Sequence, residues 1–237
     1  SRRMILAEMT PPNTAVVRSL RTSPPAKVNL TLNVIRRRPD GYHELHSVVI
    51  GADFRDSLQL EWPTEDDRAI HCDVPEISHS SNLAMRAALG LARQVGYERN
   101  FALRLQKRIP LGAGLGGGSS NAAAALRLCN QAWQSGWSAS ELATIGSAIG
   151  SDVPLFFNLP VAEISGRGDI VRSLDMKWQG WIVLCLPPVR TETARVYAAW
   201  KPEFGVEPNE DTASALCACV SAAELAKLPS NQLAPAA

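Results

Sequence analysis

The sequence has few of the features that mark secreted, metal-binding or membrane-spanning chains. Its 237 residues include only five cysteines, with no Cys-x-x-Cys pair, which argues against a disulfide framework and the commonest zinc sites. The apolar runs fall far short of the ~20 residues that a membrane-spanning helix needs, and the first residues lack the apolar core of a signal peptide. A net charge of +1 gives no overall attraction to nucleic acid or membranes. We therefore expect an ordinary globular protein with one large or two small domains.

Two compositional details leave alternatives open. Residues 1–38 contain eight Lys or Arg against one acid, Glu8, typical of a solvated basic end, an organellar transit segment or a nucleic-acid-binding arm. Cys129 and Cys185 lie within apolar runs and are predicted to be buried free thiols, as in a reducing compartment. The pair Cys217 and Cys219 has no nearby partners, so no metal site is expected there.

A glycine-rich stretch is the most informative feature of the chain. Five of residues 111–120 are glycine, and the stretch ends in two serines before the alanine-rich segment 121–126. Glycine tolerates positive φ and lets backbone N–H groups approach a ligand closely. The start of a helix adds unpaired N–H donors and the positive end of its dipole. The stretch therefore predicts a phosphate site.

This stretch fits neither of the two common phosphate-binding motifs. Gly112, Gly114 and Gly117 have the dinucleotide-fingerprint spacing, but segment 137–141 is a capping-box pattern that opens a second helix where a strand would be needed. No Gly-Lys-Ser/Thr follows the glycines, so the P-loop pattern fails as well. A flexible linker would not be flanked by a strand-like segment and an apolar helix. We therefore predict a phosphate cradle of another type.

Hydrophobic periodicity predicts an α+β fold. Alternation along 27–34 places Lys27, Asn29 and Thr31 on one face of a strand. Because strands come first and paired helices follow, a layered α+β arrangement is favoured over an alternating parallel sheet. Strands are predicted at 14–20, 27–34, 46–50, 57–61, near Ile70, 101–105, 161–164 and 181–186, and helices at 82–95, 119–132, 138–149, 193–200 and 211–227.

Three segments, in chain order, resemble the GHMP kinases. They are Pro25-Ala26-Lys27-Val28-Asn29-Leu30 with Asp40-Gly41-Tyr42-His43, the glycine-rich loop from Pro110 to Ser120, and Gly150-Ser151-Asp152-Val153-Pro154. The resemblance implies a two-lobed fold, with a ribosomal protein S5 domain 2-like N-terminal lobe and an incomplete ferredoxin-like C-terminal lobe. It divides the chain into an N-terminal extension at 1–13, an ATP-binding domain at 14–160 and a partial C-terminal domain at 161–237.

The resemblance also implies an activity and a set of site residues. It implies transfer of the ATP γ-phosphate to the 2-hydroxyl of a methylerythritol linked to cytidine diphosphate, in the non-mevalonate route to isoprenoid precursors. Asp152 would act as general base, and Lys27 would keep it ionised and offset phosphoryl charge. Mg²⁺ is expected to arrive with the nucleotide, its protein ligands unassigned. The implied ATP-binding residues are Pro110, Leu111, Gly112, Ala113, Gly114, Leu115, Gly116, Gly117, Gly118, Ser119, Ser120 and Asn82, with an N-cap role open for Asn82; the substrate-binding residues are Asn29, Tyr42, His43 and Thr193.

The match to the family is incomplete near the end of the sequence. Gln232 stands where the family usually has an acid, and the sequence stops before the family's third glycine-rich loop. A fragment, a shortened gene model and a shortened homologue each explain this. Two alternative functions stay open, a GHMP kinase for another small alcohol and a nucleotide-binding pseudokinase. The expected partner is a small cytidyl substrate, without nucleic acid or membrane, in the cytoplasm or in an organelle if the basic segment is a transit sequence; the oligomeric state is open.

Overall fold

A computed structural model describes residues 17–186, 193–201, 212–228, 231 and 233. The predicted extension at 1–13 and Gln232 lie outside the described residues. The described residues form nine strands and six α-helices. The strands are β1 (Arg18–Thr22), β2 (Pro25–Asn29), β3 (Asn33–Arg37), β4 (His43–Arg55), β5 (Ser57–Trp62), β6 (Ala69–Cys72), β7 (Ala102–Gln106), β8 (Val161–Ser165) and β9 (Ile170–Ser173). The helices are α1 (Leu83–Val95), α2 (Gly117–Trp133), α3 (Ala139–Ser147), α4 (Thr193–Ala199), α5 (Thr212–Ala218) and α6 (Ala222–Leu225).

The strands form two sheets. The first has the order β1-β5-β7-β6, with β6 parallel to β7 and the other pairs antiparallel. The second has the order β2-β4-β8-β9, and β3 also pairs with β4. The 13-residue strand β4 therefore joins three neighbours, which makes it the centre of the second sheet. The α+β class predicted from the sequence is confirmed.

The main core lies between the first sheet and helices α1 and α2. Alternation along β5 and β7 turns Leu58, Leu60 and Leu103 inward, where all three are fully buried. The four consecutive alanines at 122–125 are small enough for α2 to lie close to its neighbours, and they belong to the same core. This packing fixes the start of α2, which is the end that carries the glycine-rich loop.

Two predicted elements are broken in the structure. The strand predicted at 27–34 is split into β2 and β3, because Thr31 bonds β4 through its side chain as well as its backbone. Its Oγ1 accepts a hydrogen bond from Val48 N at 2.9 Å, and its carbonyl accepts one from the Ser47 hydroxyl. The helix predicted at 211–227 is split into α5 and α6, because Ser221 caps a new helix by accepting a hydrogen bond from Glu224 N at 3.2 Å.

The prediction of a strand at 181–186 is wrong. The segment has no regular structure, and the side chains of Trp181 and Val183 are 98% and 86% exposed. Among the described residues no strand pairs with it, and an apolar pattern without a hydrogen-bonded neighbour does not make a strand. The strand that does return beside β8 is β9, after a turn at Gly166 and Gly168. Cys185, predicted to be buried, is exposed, whereas Cys129 is fully buried.

Strand β1 confirms the strand predicted at 14–20 from Arg18 onward, while residues 14–16 lie outside the described residues. The other predicted elements are confirmed, and the boundary of the second domain stays a prediction. Strand β8, which begins just after residue 160, pairs antiparallel with β4 from Ile50↔Val161 to Ser47↔Ile164. The first strand assigned to the predicted C-terminal domain thus extends a sheet built from N-terminal strands. Helix α4 lies within the range predicted for it.

Two helical glycines differ in the room that their surroundings leave. A Cβ on Gly146 of α3 would lie 2.6 Å from Val153 Cγ1, whereas a Cβ on Gly90 of α1 would meet its nearest atom at 3.8 Å. We expect Gly146→Ala to lower the free energy of unfolding by about 1–3 kcal/mol through overpacking. Gly90→Ala should raise it by up to about 1 kcal/mol through helix propensity. Urea denaturation of both variants checks the pair, and equal effects would contradict the packing described for α3.

Candidate active site

The glycine-rich loop leads directly into the N-terminus of α2. The helix begins at Gly117, its cap residue Gly116 has φ 68°, and no side chain caps it. A Cβ on Gly116 would lie 2.8 Å from Phe156 Cζ and 2.9 Å from Lys27 Cγ, so only glycine fits there. The N–H groups of the first turn have no partners within the helix, and the helix dipole adds positive potential. This end of α2 can hold a phosphate group.

The loop is fixed from behind by the buried carboxylate of Asp56, which directly follows β4. Its Oδ1 accepts hydrogen bonds from the backbone N–H groups of Arg108 and Ile109 at 2.7 and 2.8 Å. Its Oδ2 accepts one from Asn121 Nδ2 at 3.0 Å and one from the ammonium group of Lys107. Four donors from both sides of the loop thus converge on one side chain. Because a buried charge is tolerated only when it is fully paired, this network holds the loop in one place.

Lys27 joins β2 to the loop and points its ammonium group into the site. Its N–H donates to the Leu115 carbonyl at 2.9 Å, and its Nζ donates to Asn29 Oδ1 at 3.0 Å. Burial lowers the pKa of Lys27, and the carboxylate of Asp152 opposes this effect by attraction. The predicted pair of Lys27 and Asp152 is therefore close enough to interact, and Asn29 is a partner of Lys27 in this arrangement.

Asp152 lies in a tight turn after α3. The N–H of Val153 donates to the Gly150 carbonyl at 3.1 Å, and a 3₁₀-helix at Pro154–Phe157 follows. A Cβ on Gly150 would lie 3.9 Å from Ser119 Oγ, so this turn is adjacent to the first turn of α2. A half-buried carboxylate beside a phosphate site can accept a proton from a hydroxyl group that attacks the phosphate.

Tyr197 of α4 connects Asp152 to the predicted substrate residues. Burial raises the pKa of the Tyr197 phenol, and the nearby carboxylate of Asp152 raises it further. The Tyr197 ring lies 5.3 Å from the ring of His43, and the Trp200 ring lies 5.5 Å from it in an edge-on arrangement. Sequence reasoning did not assign Tyr197 to the site. Its place one helical turn after Thr193 is the signal that could have indicated it.

His43 is the first residue of strand β4, and Tyr42 directly precedes it. Burial lowers the pKa of His43, and the positive charge of Arg37 lowers it further. A neutral imidazole is favoured, which offers one donor and one acceptor. Tyr42 is 59% exposed, with the Arg167 guanidinium 5.2 Å from its ring centroid. This ring is therefore available for stacking, since it is not part of the core.

Three predicted site residues have surroundings that the motif did not indicate. Asn82 is the N-cap of α1, accepting from Ala84 N and donating to the Ile77 carbonyl, both at 2.9 Å. Ser119 is half-exposed, but Ser120 is 1% exposed and its hydroxyl has no hydrogen-bond partner. Thr193 is the first residue of α4, and its side chain lies outside the described residues. The ligand contacts of Asn82, Ser120 and Thr193 stay predictions.

The described residues contain neither a cluster of metal ligands nor a helix that could span a membrane. Within residues 17–186 and the described segments after them, no three His, Cys, Asp or Glu side chains cluster as metal ligands would. In the same part of the chain, no helix is long and apolar enough to cross a membrane.

Replacing Asp56 tests the anchor of the loop. Asp56→Asn removes the charge opposite the buried Lys107 ammonium, so we expect the free energy of unfolding to fall by about 3–5 kcal/mol. Asp53→Asn is the matched control, because Asp53 forms an exposed ion pair with Arg55 and should change stability little. Urea denaturation compares the two. A small effect of Asp56→Asn would contradict a structural role for the network.

Known proteins resemble this chain over much of its length. The family described as GHMP kinases N terminal domain matches residues 82–158, which contain the loop and Asp152. A 4-diphosphocytidyl-2-C-methyl-D-erythritol kinase of Pseudomonas savastanoi pv. phaseolicola is 38% identical over 174 residues, which cover 73% of this chain and 60% of that protein. A protein of the same name from Symbiobacterium thermophilum is 41% identical over 187 residues, covering 78% and 66%. The chain thus spans about three fifths to two thirds of the length of these relatives.

Solved structures agree with the sequence relatives. The crystal structure of a 4-(cytidine 5'-diphospho)-2C-methyl-D-erythritol kinase is 31% identical with a TM-score of 0.71, and the match covers 90% of this chain and 75% of that one. Mevalonate kinase of Methanococcus jannaschii shares the fold, with a TM-score of 0.53 at 14% identity over 68% of this chain and 57% of its own. Because motifs, fold and sequence identity agree along most of its length, the chain belongs to the GHMP kinase family, in the group of the 4-diphosphocytidyl-2-C-methyl-D-erythritol kinases.

Proposed function

We propose that this protein transfers the γ-phosphate of ATP to the 2-hydroxyl of 4-diphosphocytidyl-2-C-methyl-D-erythritol, in the non-mevalonate route to isoprenoid precursors. One observation carries the proposal: residues that influence one another extend from the phosphate loop to His43. The Leu115 carbonyl accepts a hydrogen bond from the Lys27 N–H, and the charge of Asp152 acts on both Lys27 and Tyr197. The Tyr197 ring in turn lies 5.3 Å from the ring of His43. The names of the relatives describe this substrate, and the order of the motifs is the one that their family shares.

The ATP phosphates bind at the loop and the start of α2. Residues 110–120 surround them, and N–H groups from the first turn of the helix donate to phosphate oxygens. Asp56 anchors the loop through hydrogen bonds from the protein itself. Because its N–H donors are already in position, the loop needs to rearrange less when charge moves between oxygens during transfer.

Asp152 and Lys27 carry the chemistry of transfer. The 2-hydroxyl oxygen forms a bond to the γ-phosphorus as its proton passes to the Asp152 carboxylate, and the bond from that phosphorus to the β–γ bridging oxygen breaks to release ADP. The Lys27 ammonium stabilises the added charge on the phosphoryl oxygens. The same ammonium attracts the Asp152 carboxylate, which keeps the base beside the reacting groups.

Mg²⁺ fits this site as an ion held mainly by the nucleotide. The described residues near the loop offer few oxygen ligands, of which the Ser119 hydroxyl and the Asp152 carboxylate are the candidates. Mg²⁺ commonly keeps several waters and binds substrate phosphates, so a site with one or two protein ligands suits it. When bound, it would neutralise phosphate charge.

The cytidyl group binds at the start of β4. The exposed Tyr42 ring provides a stacking surface, which is worth about 1–3 kcal/mol for a base. The neutral His43 ring can pair with a donor and an acceptor on the edge of the cytosine. Tyr197 and Trp200 hold that ring from the side of α4.

We place the protein in the cytoplasm, with a small molecule as its partner. All five cysteines are free thiols, and burial raises the pKa of the Cys129 thiol, which makes it unreactive. Free thiols suit a reducing compartment.

A coupled assay of ADP release tests the proposed reaction. With ATP, Mg²⁺ and the cytidyl substrate, turnover should exceed that with homoserine, and Asp152→Asn should lower kcat by about 10²-fold or more because the base is lost. Asp67→Asn, in an exposed loop, is the control and should leave kcat unchanged. Preference for homoserine would indicate another substrate. Nucleotide binding without any turnover would indicate a pseudokinase.

We expect Lys27 to lower the stability of the fold while being required for activity. Since burial lowers its folded-state pKa, the unfolded chain binds the proton more tightly, and the charged side chain disfavours folding at neutral pH. Lys27→Met should therefore raise the unfolding temperature at pH 7 while lowering kcat by about 10²-fold or more. The stability gain should shrink as the pH rises from the folded-state pKa toward 10.5, where wild-type Lys27 loses its proton.

Melting curves between pH 7 and 10 check this expectation for Lys27. The exposed Lys227 supplies the control Lys227→Met, which should change neither melting nor kcat. A lower unfolding temperature for Lys27→Met at pH 7 would contradict the inferred cost of burial.

A further inference from the structure

A cavity lies beside helix α2, and none of residues 110–119 of the phosphate loop lines it. It has a volume of about 530 Å³ and opens between the β1–β2 connection, one side of α2 and the segment 156–160. Residues 120, 123, 124, 127, 128 and 131 of α2 line it, which is a single helical stripe. A cavity of this size is within the range that binds small ligands.

Three guanidinium groups give this cavity a positive charge. Arg21, Arg55 and Arg127 all line it. Arg55 pairs with the exposed Asp53, whereas Arg21 donates to the Ser57 hydroxyl at 2.9 Å. In the part of the chain that the structure describes, no ion pair joins Arg21 or Arg127 to an acid. The Arg127 guanidinium lies 4.7 Å from the centroid of the Phe157 ring. Two guanidiniums without counter-charges favour a phosphorylated ligand, because the guanidinium fork matches phosphate oxygens.

The remaining lining is mixed. Ser120 is 1% exposed and lines the cavity at the α2 side, and its hydroxyl has no hydrogen-bond partner. Prolines and a leucine add apolar surface: Pro24, Pro25, Leu159 and Pro160. Thr22, Ser23 and Gln131 add polar groups that can bond a charged ligand.

We propose that this cavity binds a small alkyl diphosphate, with its charged end between Arg21 and Arg127 and its alkyl group against the apolar walls. None of residues 110–119 lines the cavity, although the two sites meet at Ser120 and at Phe156, which lines the cavity and packs against Gly116. A diphosphate carries enough charge for both guanidiniums, and an alkyl group fits against the prolines and Leu159.

Calorimetric titration with 3-methylbutyl diphosphate tests this site. A saturating non-hydrolysable ATP analogue is added first, so that the phosphate loop is occupied. We expect one binding event to persist, and the double variant Arg21→Gln with Arg127→Gln to weaken it by about tenfold or more while the analogue binds unchanged. The control replaces two exposed arginines of α1, Arg86→Gln with Arg93→Gln, and should leave both affinities as they were.

Several outcomes would overturn the proposal. One is that 3-methylbutyl diphosphate does not bind when the ATP analogue is present. Another is that the double variant melts like the wild type and still binds 3-methylbutyl diphosphate with the same affinity. A third is that inorganic pyrophosphate and 3-methylbutyl diphosphate bind with equal affinity. The last result would show that the apolar walls contribute nothing. If the ATP analogue itself does not bind, the proposed kinase function fails, but the alkyl diphosphate must still depend on Arg21 and Arg127.

Discussion

The bonding of the Asp56 carboxylate is the interaction on which the candidate site depends. This buried side chain connects the end of β4, the backbone before the glycine-rich loop and the first turns of α2. A buried carboxylate with four donors admits very few arrangements of those donors, since losing any one leaves a charge or a polar group unpaired. The phosphate end of the site is therefore shaped by a polar network within the protein, before any nucleotide binds.

The other end of the site is held by different forces. His43 is positioned by aromatic contacts with Tyr197 and Trp200 of α4, and Tyr42 lies largely in solvent beside Arg167. Aromatic contacts of this kind are less directional than a fully bonded carboxylate. The protein thus combines a rigid region around the phosphates with a more adaptable region around the base. Asp152 lies between them and interacts with Lys27 on one side and Tyr197 on the other.

Local sequence patterns predicted the parts of the site that depend on local chemistry. The run of glycines indicated the phosphate loop, and alternation along β2 placed Lys27 and Asn29 on one face, where they do bond. Asp56 was missed, because its partners are more than 40 residues away in the chain and no local pattern marks such contacts. Tyr197 was missed too, and only its spacing from Thr193 on the predicted helix could have indicated it. The strand predicted at 181–186 failed for the related reason that a strand depends on a neighbour, which its own residues do not specify.

Strand β4 carries both ends of the site on one element. His43 is its first residue, and Asp56 directly follows its last. Since side chains alternate along a strand, inserting or deleting one residue within β4 would turn every later side chain to the opposite face and break its pairing with β2 and β8. Between residues 43 and 106, insertions and deletions among the relatives should therefore be confined to loops such as 63–68, and the number of residues in β4 should be the same throughout the group.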